Sequence, residues 1–413
     1  MLIDRLKSSL RAMRSLSSLM DQVLVSGGNF LTIAICAHAL SLAEQGKFTY
    51  IFASYIALLL LNVAGIFQGA AVRAPAQEPH AYKRTLARLQ LLQAFLLSLL
   101  VSGIWWLVGD VFGWQASPTE AGLLFAFLIV QQLADFDRRS AYIFSGTRRA
   151  VYSSAALYPL RIIVLLVIRP ETVSQVLLVL IVSALIPAIL TLIACGRRVF
   201  EDTKPWIKAA RDHLTYSRLF IAGAPLGWLW SYIPIFLLGT IHGKEQAALL
   251  ASIRGISNIA NVLMEQIETK VVADWARTRH GGGMHVMESA ATRLLQIGMT
   301  FWLSGMVVMV VFGREIVALV LGNLYAPYWH LLLIGWFGYG VYFLARVSGI
   351  KHRAMGSNRV EFIGNLCGVL AALAAGFVMI PALSATGAAW VYVIIAAAML
   401  IGQMYFAKKS VQA

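Results

Sequence analysis

The sequence predicts an all-α integral membrane protein of about twelve transmembrane helices in two parallel six-helix lobes, and three observations carry that expectation. Of the 413 residues, 59% are hydrophobic and 13% charged, whereas ordinary soluble domains are roughly 45–50% apolar and about 25% charged. Apolar runs near bilayer-crossing length recur from end to end, so the excess does not belong to one anchor on a soluble domain. The basic residues alternate between the gaps. Of the 34 Lys and Arg, 28 fall on one side, Lys47, Arg169, Lys244 and Arg314 fall on the other, and Arg161 and Arg254 fall inside spans. Basic residues are retained on the cytoplasmic face, which predicts cytoplasmic termini. The same asymmetry accounts for most of the formal net charge of +15 without nucleic acid.

The first span, 19–41, follows Arg5, Lys7, Arg11 and Arg14 and ends in Ala37-His38-Ala39. That pattern imitates a signal peptide with its cleavage site, but a chain with eleven further spans keeps its first helix. The second and third spans, 48–72 and 86–109, flank a basic gap containing Arg73, Lys83, Arg84 and Arg88. The fourth, 119–143, carries Gln131, Asp135, Arg138 and Tyr142 at spacings of 4, 3 and 4. There Asp135 and Arg138 can pair at i,i+3, and Asp135 is also a candidate for coupling. In the fifth, 150–168, Arg161 follows Pro159 well inside an apolar run, where the proline frees backbone groups. Its depth, roughly 10 Å or more from either helix end, favours a cavity-lining role over snorkelling. The sixth span, 172–195, ends an N-terminal lobe of residues 1–195. The hydrophilic stretch 196–218 reads as a cytoplasmic amphipathic linker, followed by a C-terminal lobe of residues 219–413.

The seventh span, 216–240, contains Gly223, Pro225, Gly227 and Pro234, which predict a broken helix. The eighth, 246–272, is the most informative: Arg254, Asn258, Asn261, Glu265 and Glu268 are spaced 4, 3, 4 and 3 and share one helical face. This polar ladder is about 21 Å long. A charge facing lipid near the bilayer centre costs at least roughly 2.5–3.5 kcal/mol, so the ladder is expected to face a watery cavity or another polar helix. Glu265 and Glu268, toward its cytoplasmic end, are candidates for proton or cation coupling. After the ninth span, 291–313, the tenth, 326–346, carries an aromatic stripe of Tyr325, Trp329, Trp336, Tyr339 and Tyr342 with Arg346. Such stripes are usually interface belts or core. Sugar rings also have apolar faces that pack on aromatic rings, so Trp329, Trp336 and Tyr339 are candidate glycan contacts. The eleventh and twelfth spans, 359–380 and 384–406, complete the count.

The two halves read as weak repeats. Glu44-Gln45 recurs as Glu245-Gln246, Asn62 and Gln68 as Asn261 and Gln266, and Ser145 to Arg149 as Met355 to Arg359. Six spans per half leave both halves in the same orientation, which relates them by an axis along the membrane normal. Cys36, Cys195 and Cys367 are far apart and lack metal-ligand spacing, so neither a metal nor a cofactor is expected. No P-loop is present, and the outer loops are short, which argues against ATP hydrolysis and against a membrane enzyme of glycan assembly.

The stretch Met20 to Phe30, with Leu40 to Phe48, resembles the first helix and turn of bacterial polysaccharide-export flippases. These are the Wzx-like O-antigen flippases of the multidrug/oligosaccharidyl-lipid/polysaccharide (MOP) exporter superfamily. Ala354 to Arg359, and Pro381 to Trp390 with Thr386-Gly387-Ala388-Ala389, are similar to that family's eleventh and twelfth helices. The sequence departs from the family at Ser384-Ala385-Thr386, where a tighter Tyr-Gly turn is usual. The resemblance implies a MATE-like pair of lobes around a cationic cavity in the bacterial inner membrane. It implies movement of an undecaprenyl-pyrophosphate-linked oligosaccharide from the cytoplasmic to the periplasmic leaflet by alternating access. Membrane lipids, and a polymerase and glycosyltransferases of the same pathway, would be its partners. Arg161, Arg254, Asn258 and Asn261, with Asn29 of the first motif, would bind substrate. A guanidinium suits pyrophosphate because it offers several donors to its oxygens. A multidrug or cation antiporter of the same fold is the alternative reading, and it would need an acidic binding centre where the deepest charges here are basic.

Overall fold

The computed structural model describes residues 2–74, 77–109, 116–195, 204–355 and 359–412; side chains of 2–16, 194–195, 204–205, 260–263, 265–270, 272–274, 276–283 and 409–412 are outside that description. Among the described residues the regular structure is entirely helical. The helices are α1 (Leu2–Ala39), α2 (Leu42–Asn62), α3 (Gly69–Arg73), α4 (Pro79–Val108), α5 (Pro118–Phe144), α6 (Thr147–Ile168) and α7 (Val173–Cys195). They continue with α8 (Lys204–His242), α9 (Lys244–Ser257), α10 (Ile259–Leu321), α11 (His330–Ala354) and α12 (Arg359–Gln412).

The helix boundaries follow local chemistry. Ser41 caps α2 through the Glu44 amide, and Ser117 and Glu120 close a reciprocal capping box on α5, with Pro118 in its first turn. Turns into α6 and α9 use Gly146 and Gly243, at φ 96° and 92°, where a side chain would be strained. Among the described residues, ten helices are long and apolar enough to cross a bilayer. The last of them, Arg359–Lys408, is two spans. Ser384 takes φ 51° and ψ −133° inside α12, and the two parts fold back on each other, Gly364 against Gln403, Gly368 against Met399 and Gly402 against Cys367. This antiparallel hairpin turns where the sequence separates its eleventh and twelfth spans. The chain is a multi-pass membrane protein.

Two compact units divide the chain, Met1–Pro225 and Leu226–Ala413. In the first, α5 packs on α4, α6 and α7, and α1 on α6. A polar network described below joins α1, α5 and α6. The stretch expected as a linker is helical from Lys204, and part of it packs on this unit: Trp206 and Ala210 join a cluster with Ile66, Phe67, Leu86 and Phe136. Between α2 and α3 the backbone forms a π-helical turn, Val63–Gln68, a local widening that the apolar pattern does not announce. His213 fastens it, donating from Nε2 to the Gly65 carbonyl at 3.0 Å while Nδ1 meets the Tyr82 hydroxyl at 2.8 Å.

In the second unit α11 packs against α10 and against the α12 hairpin. The α10–α11 seam is built from glycines facing aromatics: Gly298 under Phe343, Gly305 under Trp336, Gly340 under Trp302 and Gly313 under Trp329. Trp302 and Trp336 donate their indole N–H to each other's backbone carbonyl, at 2.9 and 3.0 Å. Each such bond in a buried seam removes the cost of an unsatisfied donor, about 1–3 kcal/mol.

Two expectations are corrected here. The broken seventh span is not seen, since α8 stays helical through Pro225 and Pro234. The polar ladder is also not on one helix: α9 ends at Ser257 and α10 begins at Ile259, so Asn258 sits at a joint.

Candidate functional site

Arg254 lies in the last turn of α9, half-buried and ringed by aromatic side chains from three other helices of its unit. Its guanidinium stands 4.3 Å from the ring centre of Tyr392 and 5.8 Å from that of Tyr232. It donates to the Ser231 carbonyl at 2.8 Å and to the Tyr392 hydroxyl at 3.1 Å, and it hydrogen-bonds Tyr339. The Tyr392 hydroxyl in turn donates to Ser231 O at 2.8 Å, and the Tyr339 hydroxyl donates to Asn258 Oδ1 at 2.9 Å. All these partners are neutral. Among the described residues no carboxylate lies within ion-pair distance of Arg254. The site is therefore a fixed positive charge, oriented by a carbonyl and two phenols, with planar cation–π support.

The structure joins Arg254, Asn258 and Tyr339, which the sequence assigned separately to substrate and glycan binding. Two members of the ring were missed. Tyr232 belongs to an i, i+4, i+8 series with Trp228 and Phe236, and Trp228 stacks on it at 5.7 Å. That spacing was legible in the sequence and outweighed by the prolines. Tyr392 sits alone in an apolar run, with no pattern around it to single it out.

Arg161 is the corresponding charge of the first unit. It is 3% exposed and donates to Gln131 Oε1 at 2.6 Å and Ser183 Oγ at 3.2 Å, with its guanidinium 5.3 Å from the Tyr158 ring centre. Burial to this degree excludes snorkelling and places the residue in a protein-lined polar pocket of neutral partners. The close approach of α1 makes room for this arrangement: Gly28 lies directly against Tyr158, where a Cβ would overlap the ring. Asn29, next along α1, is half-buried. Asp135 is 4% exposed and accepts from the Tyr55 hydroxyl at 2.7 Å.

Three sequence assignments change. The expected Asp135–Arg138 pair gives way to Asp21, whose wholly buried carboxylate accepts from Arg138 Nη1 at 2.9 Å, from the Tyr142 hydroxyl at 2.7 Å and from Ser154. The sequence signal for this partner is an acid, Asp21, inside the first apolar span. Trp336, a candidate glycan contact, is 6% exposed with its N–H spent on the Trp302 carbonyl, so it is a packing residue. Trp329 lies on Gly313 in the same seam, and packing explains it as well. Asn261, Glu265 and Glu268 have side chains outside the described residues.

No protein-family model matches the chain, and no curated protein matches it. Solved structures do. One is the inward-facing conformation of a multidrug resistance MATE family transporter of the MOP superfamily, with TM-score 0.74 and 12% identity over 96% of this chain and 98% of that one. The lipid II flippase MurJ in an inward closed conformation gives TM-score 0.73 and 11% identity over 96% and 87%. The chain has the fold of MOP superfamily transporters. A third match is a MOP superfamily transporter from Pyrococcus furiosus with a binding pocket of reverse polarity, with TM-score 0.60 and 12% identity over 95% and 92%. At these identities the likeness shows the fold, and the chemistry of the site must come from this chain's own residues.

Proposed function

We propose that this protein is a flippase that carries an undecaprenyl-pyrophosphate-linked oligosaccharide from the cytoplasmic to the periplasmic leaflet of a bacterial inner membrane, with Arg254 holding the pyrophosphate. The observation that carries the reading is the state of the Arg254 ring. A transporter of organic cations would offer the faces of Tyr232 and Tyr392 to its drug. Here those faces already hold the chain's own guanidinium, so the ring presents positive charge, the polarity an anionic headgroup needs. Arg161, also held by neutral groups, supports the same polarity. Asn29, Asn258 and Asn261 are assigned to polar contacts with the substrate, and Tyr339 to the glycan. Asp135, Glu265 and Glu268 remain the candidates for coupling, and a polymerase and glycosyltransferases of the same pathway are the expected partners.

The multidrug antiporter reading is supported by the MATE neighbours and opposed by the occupied ring. Equilibrium binding of a polyprenyl pyrophosphate to the purified protein separates the two. One charge-assisted contact contributes roughly 1.5–3 kcal/mol, so Arg254→Ala should weaken binding about 10- to 150-fold. Arg254→Lys should recover part of that loss, keeping charge without the fork geometry, and Arg254→Glu should be worse than alanine. Equal binding by all four proteins would sink the pyrophosphate assignment.

A further inference from the structure

The helix α8 is longer than a bilayer is thick. Its 39 residues extend about 58 Å, against a hydrocarbon core of about 30 Å. Residues 219–241 contain no Asp, Glu, Lys or Arg, and at about 34 Å that stretch alone crosses the core. The first part of the helix, 204–218, is thereby left at headgroup level, and it belongs to the first unit. One of its faces is committed to protein: Ala210, His213 and Ser217 are buried, and Trp206 packs on the cluster of Phe67 and Leu86. The rest of its surface mixes charge with apolar bulk. Lys208, Arg211 and Arg218 are exposed, and so are Ile207, Tyr216 and Leu219, at 57%, 44% and 77%. Arg73, at the end of α3, joins them with its guanidinium 5.8 Å from the Tyr216 ring centre. Among the described residues none of these four bases has a carboxylate within ion-pair distance. The described acids of these segments are Asp212, which is exposed, and Glu78, whose carboxylate caps α4 on the His80 and Ala81 amides.

The geometry points to a docking surface for anionic phospholipid headgroups, made by Lys208, Arg211 and Arg218 of α8 together with Arg73. Bases interleaved with apolar side chains at headgroup depth match a lipid interface, where the bases meet phosphates and Ile207 and Leu219 reach the acyl boundary. A soluble acidic protein would use the bases and leave those apolar side chains in water. Each base close to an anionic surface strengthens the attraction about fivefold.

Fluorescence transfer from a donor dye on Thr215→Cys, in the full chain with Cys36, Cys195 and Cys367 replaced by alanine, reports the lipids beside this surface. The protein is held in phosphatidylcholine nanodiscs carrying a trace of acyl-labelled phosphatidylglycerol or, in parallel, acyl-labelled phosphatidylethanolamine. Phosphatidylglycerol should be enriched about fivefold over phosphatidylethanolamine, and the preference should vanish in about 1 M salt, where the screening length is about 3 Å. Lys208→Gln with Arg211→Gln and Arg218→Gln should bring the two lipids near parity. Lys208→Arg with Arg211→Lys and Arg218→Lys should keep the preference, which separates loss of charge from misfolding. Neutralising two exposed bases of the second unit, Arg293→Gln with Arg359→Gln, should leave it unchanged. Equal transfer from the two lipids in the parent would assign the surface to a soluble acidic partner and overturn the proposal. A preference undiminished by the three glutamine changes, or one removed by the control pair, would overturn it too, since either would show a general pull of net charge.

Discussion

Replacing Asp21 by asparagine keeps the shape of the side chain and removes its charge, leaving the Arg138 guanidinium buried without its counter-ion. Breaking a buried pair from one side costs about 3–5 kcal/mol, and here it also weakens the hydroxyl donors Tyr142 and Ser154. Asp21→Asn should therefore lower the thermal unfolding midpoint clearly, whereas the double change Asp21→Asn with Arg138→Met should recover part of the loss by removing the orphaned charge. A single mutant as stable as the parent would show that the network carries no net stabilisation. The charged residues within spans were legible in the sequence as the unusual ones. Their partners were not, because a tie such as Asp21 to Arg138 crosses 117 positions, and helical spacing reports only neighbours on one helix. Aromatic residues misled for a related reason. The period that places Trp336 and Tyr339 on one helix cannot tell a ring packed on Gly305 from a ring facing Arg254.

At the scale of elements, apolar runs located the helices well, since a bilayer demands continuous backbone hydrogen bonding wherever lipid is the solvent. The same demand explains the misjudged α8. Proline at a helix interior removes one bond, yet neighbouring elements can satisfy the freed carbonyl, and α8 remains helical at both prolines. The real break falls at Ser384, without a proline of its own and three residues after Pro381. A non-glycine residue at φ 51° and ψ −133° carries about 1–3 kcal/mol of strain, and glycine costs roughly 0.5–1 kcal/mol in added unfolded-state freedom. Ser384→Gly should leave the hairpin intact and raise stability by up to about 1–2 kcal/mol. Chemical denaturation in detergent checks it: a lowered midpoint would mean that the serine side chain holds the turn. The π-helical turn at Val63–Gln68 had no signature in the sequence, and the side chain that bonds to it, His213, lies 148 positions away from Gly65.

For the whole molecule, the distribution of Lys and Arg predicts cytoplasmic reporter signals from fusions near residues 80, 205 and 411, and periplasmic signals from fusions near 115 and 243. A periplasmic signal at 205 would overturn both the orientation and the even number of spans in the first half. The fold could be read from composition and span order because the bilayer imposes both, and the matched transporters share it at 11–12% identity. On the proposed reading, substrate polarity rests on Arg254 and Arg161, and identity at this level does not carry such single positions. The most direct measurement is translocation itself, with purified protein in liposomes and a fluorescent undecaprenyl-pyrophosphate oligosaccharide in the inner leaflet, scored by its arrival outside. The parent should move the lipid, and Arg254→Ala at equal reconstitution should slow it at least about tenfold. Unchanged rates in the variant, or efflux of organic cations by a parent that leaves the lipid in place, would contradict the flippase account.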